Sequence, residues 1–255
     1  MKVQIIDGNN WVRVKLAECL GGSIVRDLYT SVTTNPTIQI WVFDGKGGNK
    51  RRRDIYPAYK MQRPETAQSI YASIDLLKKV LQHTPALMCE VDGYEGDDVI
   101  AALVTRFRDF YQLEILSTDG DLLALTDHPN VTSIRKPYDG IPAERVRLFK
   151  TICGDTSDNI SGIPGVGPKT FAKLNHVALT HWLEGKRVLS YGATGAQEDF
   201  YMPPKIAEWT AENEELLKAY WAITGFFPVP DITSHVKRGT PDAAAANALM
   251  KEYLL

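Results

Sequence analysis

Near its start, the chain reads Val3-Gln4-Ile5-Ile6-Asp7, a run of strand-forming residues that stops on an aspartate. Two later runs have the same form, because Ile38 to Phe43 stops on Asp44 and Leu113 to Thr118 stops on Asp119. If these runs are parallel strands of one sheet, their carboxylates meet, since the carboxyl ends of parallel strands lie along one edge. The pattern therefore predicts an acidic site at that edge.

Further acidic residues follow the same rule and lie where a predicted helix or strand begins or ends. The predicted ligand set has nine members: Asp7, Asp44, Glu95, Asp97, Asp98, Asp119, Asp121, Asp155 and Asp158. So many like charges in one cleft repel one another, and the repulsion raises their pKa values unless a cation lies among them. Mg²⁺ and Mn²⁺ prefer oxygen ligands, and a pair of such ions is the usual apparatus for in-line hydrolysis of a phosphodiester.

Each acidic cluster also has an explanation that needs no metal. Acids around Asp97 complement the dipole of a helix that starts there, and Asp119-Gly120-Asp121 has the composition of an ordinary turn. Asp155 and Asp158 have the composition of residues that cap a turn. Separate capping events explain poorly why every cluster lies at the end of an element, so we favour a shared metal site.

Composition and charge are compatible with a nucleic-acid substrate. The 255 residues are 44% hydrophobic and carry a formal net charge of −2. Setting aside the nine proposed ligands leaves 22 acidic residues against 29 lysines and arginines, an excess of positive charge that suits an anionic substrate. No stretch is long and apolar enough to span a membrane, and the chain leads directly into a strand, so we expect a cytoplasmic protein. Cys19, Cys89 and Cys153 match no zinc or disulfide pattern and are expected to be reduced.

The order of elements predicts two domains. Strands alternate with helical patterns up to about Cys153, which is typical of an α/β fold with a mostly parallel central sheet flanked by helices. The clearest helix is Thr66 to His83, whose apolar residues recur at helical spacing. The sequence changes character after Pro142, so we expect a catalytic domain at 1–142 and a helical DNA-binding module at 143–255. A polar segment from about Gly185 to Pro204 is predicted to be a loop.

The glycine-rich block from Ser161 to Thr170 predicts a helix–hairpin–helix at about 154–175. Glycine permits tight turns, and Pro168 suits the first position of a helix whose backbone N–H groups could hold a phosphate. Taken alone, the block is better explained as a structural turn, but its position just after Asp158 favours the hairpin. The DNA contacts predicted here are Gly162, Gly165, Gly167, Lys169 and Thr170.

A basic block lies between the second strand and the long helix, at about 45–68. It contains Lys50-Arg51-Arg52-Arg53, Tyr56, Tyr59-Lys60 and Arg63. A solvated loop would account for the charges. Cations interleaved with tyrosines beside a metal site instead suit a flexible clamp over single-stranded nucleic acid.

Five motifs resemble, in order, those of the structure-specific 5′ nucleases. They are Ile6-Asp7-Gly8-Asn9, Phe43-Asp44 with Arg52 and Tyr59-Lys60, Tyr94 to Asp98, Ser117 to Leu122, and Gly154 to Asn159 continuing to Thr170. The family comprises the flap endonucleases and 5′–3′ exonucleases of phages and bacteria, including the N-terminal domain of bacterial DNA polymerase I. The resemblance covers about residues 1–175. It departs at Arg51, where relatives often have an aromatic residue.

This resemblance implies a PIN-like fold, with the basic block as a helical arch, and a metal-dependent enzyme that cleaves DNA at or near 5′ ends, flaps and nicks. Two or more Mg²⁺ or Mn²⁺ ions would be bound, one by Asp7, Asp44, Glu95, Asp97 and Asp98 and another by Asp119, Asp121, Asp155 and Asp158. Lys60 and Arg52 would act in catalysis, and Arg51, Arg53, Tyr59 and Arg63 would contact DNA. Relatives often hold K⁺ on the hairpin, here near Ile163 and Val166. A monomer in the cytoplasm of a bacterium or phage-infected cell is expected.

Two other classes of protein share part of this pattern. A related metal-dependent ribonuclease would have the acids at the sheet edge but would not need the hairpin. A non-catalytic DNA-binding protein would keep the hairpin without a full set of acids. The presence of both features favours the DNA nuclease.

Overall fold

The computed structural model describes residues 1–18, 29–30, 32–35, 37–186 and 204–252. The chain divides into two compact units. The first, which we call the sheet unit, comprises Met1–Asn49, Pro64–Pro137 and Phe226–Leu255. The second, the helical unit, comprises Lys50–Arg63 and Tyr138–Gly225. Cys19 and most of the loop predicted at Gly185 to Pro204 lie outside the described residues.

The described residues form a sheet of six strands: β1 (Lys2–Asp7), β2 (Ile38–Asp44), β3 (Leu87–Val91), β4 (Gln112–Leu116), β5 (Val131–Ser133) and β6 (Val236–Arg238). Their spatial order is β5-β4-β1-β2-β3-β6. Strands β1 to β5 are parallel, and β6 is antiparallel to β3. The predicted α/β fold with a mostly parallel sheet flanked by helices is therefore confirmed.

The helices with described bounds are, in chain order, α1 (Gly8–Glu18), α2 (Lys50–Ile55), α3 (Gln68–Leu81), α4 (Gly96–Phe107), α5 (Val146–Cys153), α6 (Pro168–Phe171), α7 (His176–Leu183), α8 (Pro204–Glu212), α9 (Glu214–Ile223) and α10 (Ala243–Glu252). The helix predicted at Thr66 to His83 is α3. Helices α8 and α9 follow each other closely and are separated at Asn213.

Both faces of the sheet are covered by apolar side chains, because successive strand residues point to opposite sides. On one face Ile5, Val42 and Ile115 pack with Val99 and Leu103 of α4. On the other face, β1 and β2 contribute Ile6, Trp41 and Phe43, and the helices α1 and α3 contribute Val12, Ile74, Leu77 and Leu81. Burying one such side chain contributes about 1.5–3 kcal/mol, so the core holds the strand ends in a fixed arrangement.

In the helical unit, α9 is the central helix and packs against α2, α5, α7 and α8. Its Leu217, Tyr220 and Ile223 are buried at the helical spacing of three residues. The basic segment Lys50–Arg63 belongs to this unit by its contacts. The two compact units thus differ in their bounds from the predicted domains at 1–142 and 143–255. Residues 226–255 belong to the sheet unit, where β6 pairs with β3. The division into catalytic and DNA-binding domains concerns function and stays a prediction.

Two further expectations can be compared with the described residues. Cys89 and Cys153 are free thiols, and burial raises the pKa of each to about 12, so both are protonated near neutral pH. Among the helices that the structure describes, none combines the length and apolar character that a membrane crossing requires.

Candidate functional site

Seven of the nine predicted acids belong to the sheet unit, where strand ends and the start of α4 carry them. Asp7 and Asp44 are the last residues of β1 and β2, and Asp119 lies three residues beyond the end of β4. Glu95 directly precedes α4, which contains Asp97 and Asp98. Because these strands are parallel, their acidic ends share the carboxyl edge of the sheet.

Asp97, Asp119 and Asp121 form the tightest acidic group of the sheet unit. One carboxylate oxygen from each lies within 4.8 Å of the others, and all three residues are half-buried. Asp119 Oδ1 accepts a hydrogen bond from the Asp121 N–H over 2.9 Å, which fixes the turn between them. Three converging hard oxygen ligands fit Mg²⁺ or Mn²⁺, and we call them the acidic cluster.

Asp7 is 9% exposed, and both of its carboxylate oxygens accept hydrogen bonds. The Asn10 N–H donates to Oδ1 and the Ser117 hydroxyl donates to Oδ2, each over 2.9 Å. The pKa of Asp7 is raised to about 6, mainly by burial; the charges of Asp44 and Asp119 contribute to the increase, and the two hydrogen bonds oppose it. A neighbouring cation would favour the ionised carboxylate, which is the arrangement that metal binding requires.

Asp44 and two asparagines hold the loops of this edge together. Asp44 Oδ1 accepts a hydrogen bond from the Gly96 N–H over 2.7 Å, and Oδ2 accepts one from the Asn9 side chain over 2.9 Å. Asn10 Nδ2 donates to Thr118 Oγ1 over 2.9 Å. The predicted ligand set did not include these polar neighbours, although each lies within three residues of a predicted ligand, a spacing that would have identified them.

Asp98 has different surroundings from the acidic cluster. It is completely buried, and its Oδ2 accepts the Glu95 N–H over 3.2 Å while its Oδ1 accepts the Phe227 N–H over 2.9 Å. A carboxylate that pairs with two backbone donors inside the core is a structural group. This position disfavours direct metal binding by Asp98, and the geometry instead supports the alternative that an acid here stabilises the start of α4.

The remaining two predicted ligands, Asp155 and Asp158, belong to the helical unit. Asp155 Oδ1 accepts hydrogen bonds from the Ser157 N–H and hydroxyl over 2.8 and 2.7 Å, and Oδ2 lies 2.6 Å from the ammonium of buried Lys150. Burial raises the pKa of Asp155, but the Lys150 charge and the hydrogen bonds outweigh burial, and the pKa is lowered. Asp155 therefore caps the turn that follows it, as the explanation without metal expects.

Asp158 is buried and pairs with two residues of the basic segment. Its Oδ1 lies 3.0 Å from Arg63 Nη2 and 3.9 Å from Lys60 Nζ. Burial is the main cause that raises its pKa; Asp155 adds to the increase, and Lys60 and Arg63 oppose it. Asp158 is thus an acid whose charge is balanced by two of the predicted catalytic and DNA-binding residues.

The basic segment is docked on the turn around Asp158 in the helical unit. Gln62 Nε2 donates to the Thr156 carbonyl over 2.6 Å, and Arg63 Nε donates to the Ser157 carbonyl over 2.9 Å. Asn159 Nδ2 donates to the Ala58 carbonyl over 2.8 Å. The sequence predicted a flexible clamp, whereas these bonds hold residues 58–63 in place; whether the segment arches over DNA stays a prediction.

Lys60 and Arg52, the two predicted catalytic residues, differ in the contacts that their charged groups make. Lys60 has a left-handed backbone with φ of 55°, and its ammonium lies 4.7 Å from the centroid of the Tyr59 ring. Arg52 is 4% exposed, and its guanidinium donates to the carbonyls of Ile223 and Gly225 over 3.0 Å each. Tyr59 is only 2% exposed. These positions disfavour catalysis by Arg52 and base stacking by Tyr59; Arg51 and Arg53 are exposed.

The backbone of the predicted hairpin requires glycine at Gly162. Gly162 is buried with φ of 65°, and a Cβ there would lie 2.4 Å from the Gly154 nitrogen, so another residue would displace the backbone. Gly167 precedes α6, and Pro168 occupies its first turn as predicted. The Ile163 carbonyl accepts the Val166 N–H over 3.1 Å. DNA contacts by Gly162, Gly165, Gly167, Lys169 and Thr170, and a K⁺ site at the carbonyls, stay predictions.

Comparison with known proteins gives one family. The family model described as 5′-3′ exonuclease, N-terminal resolvase-like domain, matches residues 23–150. A 5′-3′ exonuclease of Aquifex aeolicus is 34% identical over 148 residues, which cover 53% of this chain and 50% of that protein. DNA polymerase I of Treponema pallidum is 34% identical over 137 residues, 48% of this chain and 14% of the polymerase. The matched region thus spans half or less of these relatives.

A solved structure shares the fold over the whole chain. It is a flap endonuclease of bacteriophage T5, solved as a pseudo-enzyme-product complex with DNA and metal ions. The TM-score is 0.60 at 22% identity, and the match covers 100% of this chain and 98% of the other.

Proposed function

Because the chain belongs to the family of the 5′-3′ exonuclease N-terminal domain, we propose that it is a structure-specific 5′ nuclease. It would hydrolyse DNA phosphodiester bonds at or near 5′ ends, as a 5′–3′ exonuclease and a 5′-flap endonuclease. The observation that carries the proposal is the convergence of Asp97, Asp119 and Asp121 at the carboxyl edge of a parallel sheet. A relative named as a 5′-3′ exonuclease supports it.

The proposed cofactor is Mg²⁺ or Mn²⁺, held by the acidic cluster together with Asp7, Asp44 and Glu95. When bound, such ions lower the pKa of an attacking water and stabilise the leaving oxygen. Ser117 and Asn10 orient Asp7 through the hydrogen bonds that it accepts. As the resemblance implies, Asp155 and Asp158 stay proposed ligands of a second ion, but Asp98 is left out because its oxygens pair with backbone N–H groups.

The proposed DNA contacts lie on the basic segment and the hairpin. Lys60 would balance charge on the phosphate that is cleaved, because an ammonium placed where negative charge builds up stabilises the transition state. Arg51, Arg53, Arg63, Lys169 and Thr170 would bind flanking phosphates without reading bases. We further propose that residues 154–175 form a helix–hairpin–helix with K⁺ near Ile163 and Val166, and that the protein acts as a cytoplasmic monomer.

Cleavage of defined DNA substrates tests this function. Purified protein is incubated with labelled 5′-flap, nicked, blunt and single-stranded DNA, and with an RNA copy of the flap strand, with Mg²⁺ or with EDTA. We expect Mg²⁺-dependent cleavage near the 5′ end of flap DNA. Absence of cleavage in Mg²⁺ and Mn²⁺ would contradict the proposal, and preferential cleavage of RNA would favour a ribonuclease.

The variant Asp119→Asn tests the acidic cluster within the same assay. The rate of cleavage should fall at least about a hundredfold. Loss of a residue that only orients a metal ligand lowers activity by up to about that factor, and loss of the ligand itself should lower activity at least as much. Binding of flap DNA in EDTA should persist. Asp75→Asn, at an exposed position on α3, is the matched control and should cleave normally. Undiminished cleavage by Asp119→Asn would contradict the ligand role.

A further inference from the structure

The end of β5 carries a basic pair, Arg135-Lys136, that the sequence interpretation did not use. Among the strands that the structure describes, β5 is the outermost on its side of the sheet, and it runs parallel to β4. The residues after it therefore emerge at the carboxyl edge, which is also the edge of the acidic cluster. Lys136 is exposed and Arg135 is half-buried.

The register of the strands places the end of β5 near the acidic ends of β4 and β1. Ser133, the last residue of β5, pairs with Ile115 of β4, and Arg135 follows two residues later. The Ile134 N–H donates to the Ile115 carbonyl over 3.1 Å, so Ile134 still contacts β4. Ile6 of β1 pairs with Leu116 of β4, and the side chains of the residues that follow, Asp7 and Ser117, are hydrogen-bonded. Strand β4 lies between β5 and β1, so the chain leaves β5 two strand spacings, about 10 Å, from β1.

The backbone of Arg135 is held by its own strand. Its N–H donates to Ser133 Oγ over 3.1 Å, a bond that shapes the turn where β5 ends. The basic pair therefore leaves the sheet from a defined point rather than from a long loop. Arginine binds phosphate through a planar pair of donors, and lysine contributes a point charge.

Repulsion between the carboxylates and the phosphates explains why a nucleic acid bound at this edge of the sheet needs cations nearby. A strand with one phosphodiester at the acidic cluster must place its neighbouring phosphates close by, and carboxylates repel them. The acids follow β4, β1 and β2 and open α4, so β5 marks one end of the acidic row. A basic pair at that end would offset the repulsion for a strand that leaves the cluster in this direction.

We propose that Arg135 and Lys136 form a phosphate subsite that binds the DNA backbone next to the phosphodiester being cleaved. The subsite supplies affinity and position, and it takes no part in the chemical step. This inference rests on the proposed nuclease function, since it assigns a further contact for the same substrate.

A second basic pair in the sheet unit provides a matched control. Lys237 and Arg238 are adjacent in the chain, like Arg135 and Lys136, and both are exposed on β6. Arg238 pairs with Leu87, the first residue of β3, so this pair lies at the amino edge of the sheet. Replacing both residues of either pair with glutamine removes the same charge, but only one pair lies at the carboxyl edge.

The test compares Arg135→Gln/Lys136→Gln with Lys237→Gln/Arg238→Gln and the parent protein. Binding of 5′-flap DNA is measured in EDTA over a range of salt concentrations, and cleavage in Mg²⁺ gives KM and kcat. We expect the subsite variant to bind about tenfold more weakly, with a slope of log affinity against log salt smaller by about 1, as for one lost phosphate contact. KM should rise while kcat stays within about twofold, and the control should match the parent.

The outcomes separate the subsite from the function. If the parent protein neither binds nor cleaves flap DNA, the nuclease proposal itself fails. If the parent cleaves and the two double variants have equal affinity and equal salt slopes, the subsite does not exist. A fall in kcat at unchanged KM would also overturn it. Lys136→Gln alone, at an exposed position, repeats the binding test if Arg135→Gln unfolds the protein.

Discussion

Asp97 and Asp98 are neighbours in the chain, yet their carboxylates have opposite surroundings. Asp97 faces Asp119 and Asp121 in a half-exposed cluster of like charges. Asp98 is buried and satisfies the N–H groups of Glu95 and Phe227. In the absence of a cation, the repulsion around Asp97 lowers the free energy of unfolding, because clustered like charges repel. The hydrogen bonds of Asp98 raise it, because paired buried groups stabilise the fold.

This contrast predicts opposite effects of the same substitution. An asparagine has one carbonyl oxygen, so Asp98→Asn leaves one backbone donor unpaired and should lower the free energy of unfolding by about 1–3 kcal/mol. Asp97→Asn relieves repulsion and should leave the stability of the metal-free protein unchanged or raise it. Urea unfolding in EDTA measures both.

Binding of Mn²⁺ provides the second measurement for this pair. Affinity should fall for Asp97→Asn, which loses a ligand oxygen. If Asp97→Asn proved the more destabilising of the two in EDTA, or left Mn²⁺ affinity unchanged, the assignment of the two carboxylates would be reversed.

Helix α9 ends against two arginines of the helical unit. The last carbonyls of a helix lack partners within the helix, and positive charge near them is favourable. Arg52 donates to the carbonyls of Ile223 and Gly225, and Arg147 donates to the Trp221 carbonyl over 2.6 Å with its guanidinium 3.6 Å from the Trp221 ring centroid. The position of α2 is therefore coupled to the end of α9.

Arg52→Lys tests whether this residue is structural. A lysine keeps the charge but cannot donate to two carbonyls in the same geometry, so the free energy of unfolding should fall by about 1–3 kcal/mol. The matched control is Arg51→Lys, at an exposed neighbouring position, which should change stability by less than about 0.5 kcal/mol. A normal unfolding curve with a large loss of kcat would instead support the catalytic role that the resemblance implied.

Helices with a clear apolar period were predictable, and short strands were not. Ile74, Leu77 and Leu81 recur at helical spacing within one segment, so α3 could be recognised from local order alone. Strand β6 has three residues, and only its pairing with β3, about 150 residues earlier, makes it a strand. The same reason explains why the sequence did not indicate that residues 226–255 pack with the sheet unit.

The stability of the protein as a whole should depend on pH through His176. Its ring lies between the Arg145 guanidinium and the Phe171 carbonyl, 2.7 Å from each, and is stacked on the Phe171 ring. Burial lowers the pKa of His176 below its ordinary value, and the Arg145 charge lowers it further, against the hydrogen bond to Phe171. The folded protein therefore favours the neutral imidazole.

The sign of the pH effect follows from this pKa. Above the ordinary histidine pKa of about 6.5, the contribution is complete; as pH falls toward the lower folded value, the unfolded chain takes up a proton first and stability is lost. His176→Phe should therefore show a shallower loss of unfolding free energy between pH 7 and 5 than the parent, measured by urea unfolding. Equal slopes would contradict the depressed pKa.

Local patterns in the chain were sufficient to predict three strands that lead to aspartates, because strand periodicity depends on neighbouring residues. Strands β1 and β2 end on Asp7 and Asp44, whereas β4 ends three residues before Asp119. The expected shared acidic edge follows once the strands are parallel. Local patterns could not distinguish Asp97 from Asp98, or reveal that Asp155 pairs with Lys150 and that Arg52 donates to the end of α9. Those roles depend on burial and on partners that folding brings into contact, and the partners of Asp98 and Arg52 are distant in sequence. A charged residue looks the same in the sequence whether it binds a ligand or a backbone carbonyl. Its burial and its partners in the folded protein determine which of the two roles it has.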